Sequence, residues 1–276
     1  MRRLVPVLSA FLLAAVAAPS VSHARTAVAG SFFSRSLAGT LRFDVWLPAG
    51  YGAHPETRYP VVYFLHGLPA SPTGFHGARF VAAGVRGNAI VVAPQGARAN
   101  DPDPEYLDRG RGQNWETAIA RELPAYVDAH YRTVRNRRGR ALVGLSAGGY
   151  GAALLGLNDV RDFSVIESWS GYFHPTDPTG RHALELGTAD ATARASLHTL
   201  VPRLRRTFAA HPTFLAFYVG RGDARFRAEN EQLHRELGAA GVPHVFRLYE
   251  GGHSTALWRA HAGRWLALAL AHLDAH

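Results

Sequence analysis

Three short runs in the chain are apolar almost without interruption: Tyr59 to Leu65 (YPVVYFL), Ala89 to Ala93 (AIVVA) and Arg140 to Leu145 (RALVGL). A strand with one face in water alternates apolar and polar residues, whereas a strand covered on both faces does not. These runs therefore predict the inner strands of a mostly parallel sheet with helices on each side. Ser164 to Trp169 and Thr213 to Val219 read as two further strands, and Pro243 to Tyr249 as the last. Leu41 to Leu47 does alternate, as expected of a half-exposed early strand that need not run parallel to the others.

Helical patterns fall between the strands. Trp115, Ile119, Leu123 and Val127 recur at helical spacing, with Pro124 expected to kink that helix. A small-residue helix follows Leu145, and Ala224 to Gly241 reads as a helix closed by glycine. The closing helix carries Trp258, Trp265, Leu266 and Leu273 on one face. This βα alternation predicts an α/β fold in one domain, residues 25–276. A longer stretch, about 172–211, interrupts it and is placed to cover part of a site at the strand ends.

Residues 1–24 are set apart. Arg2 and Arg3 precede the apolar run Leu4 to Ala18, and Ser22-His23-Ala24 offers small residues for cleavage before Arg25. That pattern predicts a secretory signal peptide and an exported mature chain. The apolar stretch, bracketed by Pro6 and Pro19, falls short of the ~20 residues a membrane span needs.

Composition excludes several chemistries. The sequence has no cysteine, so it has no disulfide, thiolate nucleophile or Cys-ligated zinc. The formal charge of +9 comes from arginine without any lysine, densest at Arg132, Arg135, Arg137, Arg138 and Arg140. Without aromatic interleaving or a reading motif, that cluster predicts a solvated surface loop and no nucleic-acid partner. Asp101, Asp103, Glu105 and Asp108 crowd one loop, but prolines interrupt them and the EF-hand glycine spacing is missing. Neither a His-x-x-x-His zinc pair nor a phosphate loop in strand–helix context occurs, so the expectation is no metal and no cofactor.

Gly144-Leu145-Ser146-Ala147-Gly148 is a G-x-S-x-G pentapeptide with a buried strand before it and a helix after it. That context predicts a sharp strand-to-helix elbow that holds Ser146 exposed and strained as a nucleophile. A Cβ at Gly144 or Gly148 is expected to collide with neighbouring backbone. A serine hydroxyl needs a base, and the base needs an orienting acid. With the elbow, these follow in the order Ser, Asp or Glu, His. Asp223 follows a strand through Gly220-Arg221-Gly222, and His253 follows the last strand through Gly251-Gly252. Both fall on the sheet edge where Ser146 sits. An N-cap role would also explain Asp223; Asp177 is the fallback acid, and Glu250 lies too close to His253 in sequence. Two backbone N–H groups are needed for an oxyanion. Ala147 supplies one; Leu68 is the candidate for the other, because Pro69 has no N–H. His66 is read as holding that loop in shape.

Tyr59-Pro60 through Leu65-His66-Gly67, Trp115-Glu116-Thr117 with Glu122-Leu123-Pro124, and Gly144 to Gly151 together resemble the esterase D group of α/β-hydrolases. That group includes S-formylglutathione hydrolases, feruloyl and enterochelin esterases, and the antigen 85 mycolyltransferases. The resemblance runs from about Phe33 to the C-terminus. It implies the α/β-hydrolase fold, a Ser146–Asp223–His253 triad and ester chemistry on a small-molecule or cell-envelope substrate. Pro69, where antigen 85 proteins carry arginine, and a different elbow point away from mycolyl transfer. The expected activity is carboxylic-ester hydrolysis through an acyl-serine. The alternatives are acyl transfer with the same triad and a secreted binding protein that keeps the fold without catalysis.

Overall fold

The computed structural model describes residues 27–67, 73–85, 89–101, 105–177, 182–184 and 186–273. The expected leader, Leu68, Pro69 and Asp103 lie outside them. Among the described residues, eight strands form one sheet: β1 (Val28–Ser34), β2 (Gly39–Trp46), β3 (Val61–Leu65), β4 (Ile90–Pro94), β5 (Arg140–Leu145), β6 (Val165–Trp169), β7 (Phe214–Gly220) and β8 (Val245–Tyr249). Their spatial order is β1-β2-β4-β3-β5-β6-β7-β8. β1 and β2 pair antiparallel, β2 joins β4 antiparallel, and β3 through β8 are parallel. The helices are α1 (Arg79–Gly84), α2 (Trp115–Thr117), α3 (Leu123–His130), α4 (Ala147–Asn158), α5 (Ala189–Ala195), α6 (Val201–Ala210), α7 (Arg227–Ala239) and α8 (Thr255–Leu270).

The unbroken apolar runs have a direct cause. On β3, Val61, Tyr63 and Leu65 face one core with Leu142, Ile166, Leu215 and Phe217. Val62 and Phe64 face the other with Val143, Trp169 and Tyr218. The first core lies under α3, α4, α6 and α7; the second lies under α1 and α8, which pack together. β3 passes through α1 to β4 on one side, while β5 passes through α4 to β6 on the other. Parallel crossovers keep one hand, so α1 and α4 lie on opposite faces and a crevice opens beyond the ends of β3 and β5.

Pro124 removes a backbone donor, and the helix accommodates it with a π turn, Ala118–Glu122, between α2 and α3. Glu122 accepts from Ser34 Oγ at 2.5 Å, Ser36 N at 3.1 Å and Ser36 Oγ at 2.9 Å, which ties the β1–β2 turn to this helix.

The arginine cluster departs from the solvated loop expected for it. Arg132 stacks on Tyr51 with its guanidinium carbon 3.8 Å from the ring centroid. Arg137 donates to the carbonyls of Val160, Phe163 and Pro212. Arg140 is mostly buried and pairs with Asp128. The planar fork of arginine, with five donors, suits it to collecting carbonyls in this way. The acidic loop is likewise divided among separate donors: Asp101 accepts from Trp115 Nε1 at 2.8 Å, Glu105 from Tyr172 Oη at 2.5 Å and Asp108 from Thr117 Oγ1 at 2.6 Å.

Glu167 stands out on β6. It is fully buried under α8, accepting from Trp169 Nε1 at 3.0 Å and pairing with Tyr218 Oη at 3.1 Å. Burial pushes its carboxyl up to about 8, against those two hydrogen bonds, which favour the anion. The folded state therefore holds a proton that the unfolded chain releases above the ordinary value of 4.5. Stability from this group is complete below that value and declines as pH rises to about 8, by on the order of 1 kcal/mol per pH unit. Glu167→Gln keeps the shape and both contacts and is expected to flatten this part of the profile. Urea unfolding from pH 5 to 9 checks it; identical slopes in both proteins would refute the assignment.

Candidate active site

Ser146 caps β5 and opens α4 with φ 53° and ψ −123°. That region is unfavourable for a residue with a Cβ, by about 1–3 kcal/mol, and persists only where the surroundings fix it. Here Ser146 N donates to Trp169 O at 2.9 Å and Ser146 O accepts from Tyr150 N at 3.0 Å. A Cβ on Gly144 would lie 2.0 Å from Gly148 O, and one on Gly148 would lie 2.1 Å from Leu65 O. Strand end, helix start and the loop after β3 thus touch backbone to backbone, which only glycine permits.

The loops after β7 and β8 are joined in the same way. Arg221 N donates to Tyr249 O and Gly222 N to Gly251 O, each at 2.8 Å. A Cβ on Gly220 would meet Gly251 O at 2.3 Å. The contact brings Asp223 against His253: Nδ1 lies 2.8 Å from Asp223 Oδ2, and Nε2 lies 3.0 Å from Ser146 Oγ. Asp223 is buried, so its carboxylate has little water to satisfy it. Oδ1 instead accepts from Arg225 N and Phe226 N, each at 3.2 Å. One oxygen holds the turn that leads into α7 while the other faces the imidazole, so a single carboxylate serves both contacts. That turn also delays the helix, which begins at Arg227 rather than Ala224.

The fallback acids are engaged elsewhere. Asp177 pairs with His182 at 3.0 Å, and the exposed Glu250 pairs with Arg221 at 2.9 Å.

Two aromatic side chains at this site carry no functional mark in the sequence: Trp258 reads as part of an apolar helical face, and Phe226 has no pattern around it. Phe226 and Trp258 meet the His253 ring edge-on, with centroids 5.2 and 5.0 Å away. Trp258 is itself fixed by a 3.1 Å hydrogen bond from Nε1 to Ser170 Oγ. Its place on the apolar face of α8 was visible in the sequence; its second contact was not.

Ala147 N belongs to the first turn of α4, where N–H groups lack intrahelical acceptors and carry the positive end of the helix dipole. The partner loop runs against the elbow, because a Cβ on Gly67 would lie 2.9 Å from Ser146 Cβ. His66 holds it from behind. Its Nε2 accepts from Gly96 N at 3.0 Å, so Nδ1 carries the proton and donates to Gly67 O at 2.9 Å. Burial pushes the His66 imidazole down, which keeps it neutral and preserves that tautomer. Tyr106 Oη donates to His66 O at 2.7 Å.

The segment after β6 behaves differently from a simple cover. α6 sends Val201, Leu204 and Phe208 into the core, and Ala195 O accepts from Tyr150 Oη at 2.6 Å. It walls a cavity of about 750 Å³ that includes Leu107, Glu116, Asn158, Arg194 and Arg203. Ser146 and His253 do not line that cavity.

A serine on such an elbow, facing an imidazole backed by a buried carboxylate at the switch point of a mostly parallel sheet, defines the α/β-hydrolase class. Within that class the chain belongs to the family described as "Putative esterase", whose model matches residues 34–263. An esterase of Mycobacterium tuberculosis is 25% identical over 241 residues, covering 76% of this chain and 52% of the relative. The chain thus spans about half the length of that relative. Two solved structures share the fold. A ferulic acid esterase superimposes with a TM-score of 0.72 at 24% identity, covering 91% of this chain and 100% of its own. An S-formylglutathione hydrolase from Agrobacterium tumefaciens gives 0.73 at 18% identity, covering 92% and 98%.

Proposed function

We propose that the protein hydrolyses a carboxylic ester through an acyl-serine intermediate. The observation that carries this reading is the line Ser146 Oγ–His253 Nε2 at 3.0 Å and His253 Nδ1–Asp223 Oδ2 at 2.8 Å. His253 Nε2 takes the Ser146 proton as Oγ attacks the ester carbonyl. The oxyanion that forms is met by Ala147 N–H, with Leu68 N–H as the second donor. Collapse breaks the acyl–oxygen bond, and His253 returns its proton to the departing alcohol. Water then enters, gives a proton to His253 and attacks the acyl carbon. The carboxylic acid leaves as Ser146 regains its hydrogen. Asp223 holds the imidazole in the tautomer that both halves need and stabilises the imidazolium. None of these steps calls for a cofactor.

The substrate belongs to small-molecule or cell-envelope esters, and the leader at residues 1–24 supports export as the setting. A serine-directed fluorophosphonate is expected to abolish turnover of a short-chain aryl ester. Peptide mass mapping is expected to find the label on the tryptic fragment that contains Ser146. Full turnover after treatment, in protein shown to be folded, would overturn the reading.

A further inference from the structure

Away from Ser146, three segments converge on a second cluster of chemically active side chains. His174 lies in the loop after β6, His198 in the short turn Leu197–Thr199 of the following segment, and Glu229 in the first turn of α7. One ligand atom from each lies within 4.8 Å of the others. We propose that His174, His198 and Glu229 form a binding site for a divalent transition metal of the zinc type. Water would complete the coordination.

The donor set comes first. Two imidazole nitrogens and one carboxylate oxygen suit zinc and its neighbours and are a poor match for calcium or magnesium, which prefer all-oxygen shells. Zn–N and Zn–O bonds of ~2.0–2.2 Å place tetrahedral ligand atoms roughly 3.3 Å apart. His198 Nε2 is 3.5 Å from Glu229 Oε1, close to that separation without adjustment. His174 Nδ1 sits 2.5 Å from the same oxygen, a hydrogen bond that must open for both atoms to reach one ion. The His174 side chain is 41% exposed, so it has room to do so and leaves the site a path from solvent.

The second observation lies one shell further out. His198 Nδ1 is 2.5 Å from Glu236 Oε2, about two turns beyond Glu229 on α7. A carboxylate on the far nitrogen is the usual way a metal-binding imidazole is oriented and made more basic. Here it turns Nε2 toward Glu229. Glu229 is fixed in turn, accepting from Phe173 N at 2.8 Å. Without metal, both His198 nitrogens face carboxylates and both must donate. Zinc would take the place of the Nε2 proton, which leaves to solvent.

The site would fasten two parts of the 172–211 segment, at His174 and at His198, to each other and to α7. It shares no residue with the hydrolytic line. Its expected effect is therefore on stability, independent of turnover.

The test is zinc binding by untagged, chelator-treated protein, measured by competition with a chromophoric chelator and by the shift in thermal midpoint. One equivalent is expected to bind at micromolar or lower zinc and to raise the midpoint. His198→Ala is expected to weaken binding at least 100-fold. Glu236→Gln, at a partly exposed helical position that touches no metal, is expected to weaken it roughly 10–100-fold. If the alanine variant fails to fold, Glu236→Gln decides alone. His234 and His244, whose ring nitrogens lie 2.7 Å apart at the surface, are the competing site, and replacing both with glutamine is expected to change nothing. No retained zinc in the unaltered protein would overturn the proposal. So would zinc that is insensitive to His198 and Glu236, or lost with His234 and His244.

Discussion

Ser146→Ala is expected to lower kcat on a short-chain aryl ester by roughly 10⁴- to 10⁶-fold, with the fold and KM little changed. The backbone of the elbow is set by contacts that alanine keeps: Ser146 N to Trp169 O, Tyr150 N to Ser146 O, and the close approaches at Gly144 and Gly148. Only Oγ is removed, and with it the atom proposed to form the acyl bond. The remaining rate should come from the N–H groups at the start of α4 and from substrate binding, which alone support about 10³–10⁴-fold over water in comparable enzymes. Groups that act as one unit are not additive, so combining Ser146→Ala with His253→Ala should cost little more than either change alone. Steady-state kinetics on the single and double variants check both statements. A serine variant within tenfold of the unaltered protein would remove Ser146 from the reaction.

How much of this was legible in the sequence depended on what the fold does to each residue. The inner strands were readable because burial on both faces leaves no polar alternation, and Arg140–Leu145 matches to the residue. β1 was not singled out. It is an edge strand whose positions are mostly exposed or intermediate, and VAGSFFS alternates too weakly to distinguish it from a loop. The elbow glycines were legible because the requirement is local, within five residues. Asp223 and His253 were placed by chain order and by the glycine turns before them, and the structure brings both to Ser146. Leu68 lies outside the described residues. His66 was assigned a supporting task, and its hydrogen bonds to Gly96 and Gly67 give that task a geometry. Glu167 passed unnoticed as one polar letter in a strand, since nothing in SVIESW marks a buried carboxyl. His174, His198, Glu229 and Glu236 share no local spacing. Only the packing of α7 against the segment after β6 assembles them, so the absence of a metal motif in the sequence had no bearing on them.

Asp223→Asn is expected to cost about 10⁴-fold in kcat while leaving KM and stability close to those of the unaltered protein. The direction of the new amide can be deduced. Oδ1 accepts from two backbone donors, Arg225 N and Phe226 N, and an NH₂ group placed there would face N–H against N–H. The asparagine oxygen must therefore keep the Oδ1 position, which puts the NH₂ group where Oδ2 stood, 2.8 Å from His253 Nδ1. Nδ1 is then forced to accept, the ring proton moves to Nε2, and that proton points at Ser146 Oγ. An imidazole in this tautomer cannot take the serine proton. Phe226 and Trp258 still hold the ring in place, so the loss is one of protonation rather than position. Asp223→Ala separates the two tasks of the carboxylate. It removes the cap as well as the orienting charge and is expected to lose about 1 kcal/mol of stability that the asparagine variant retains. Nitrogen-15 shifts of His253 in the asparagine variant read the tautomer directly. Activity within tenfold of the unaltered protein, or a ring still protonated at Nδ1, would show that Asp223 serves α7 as a cap and does not govern the base.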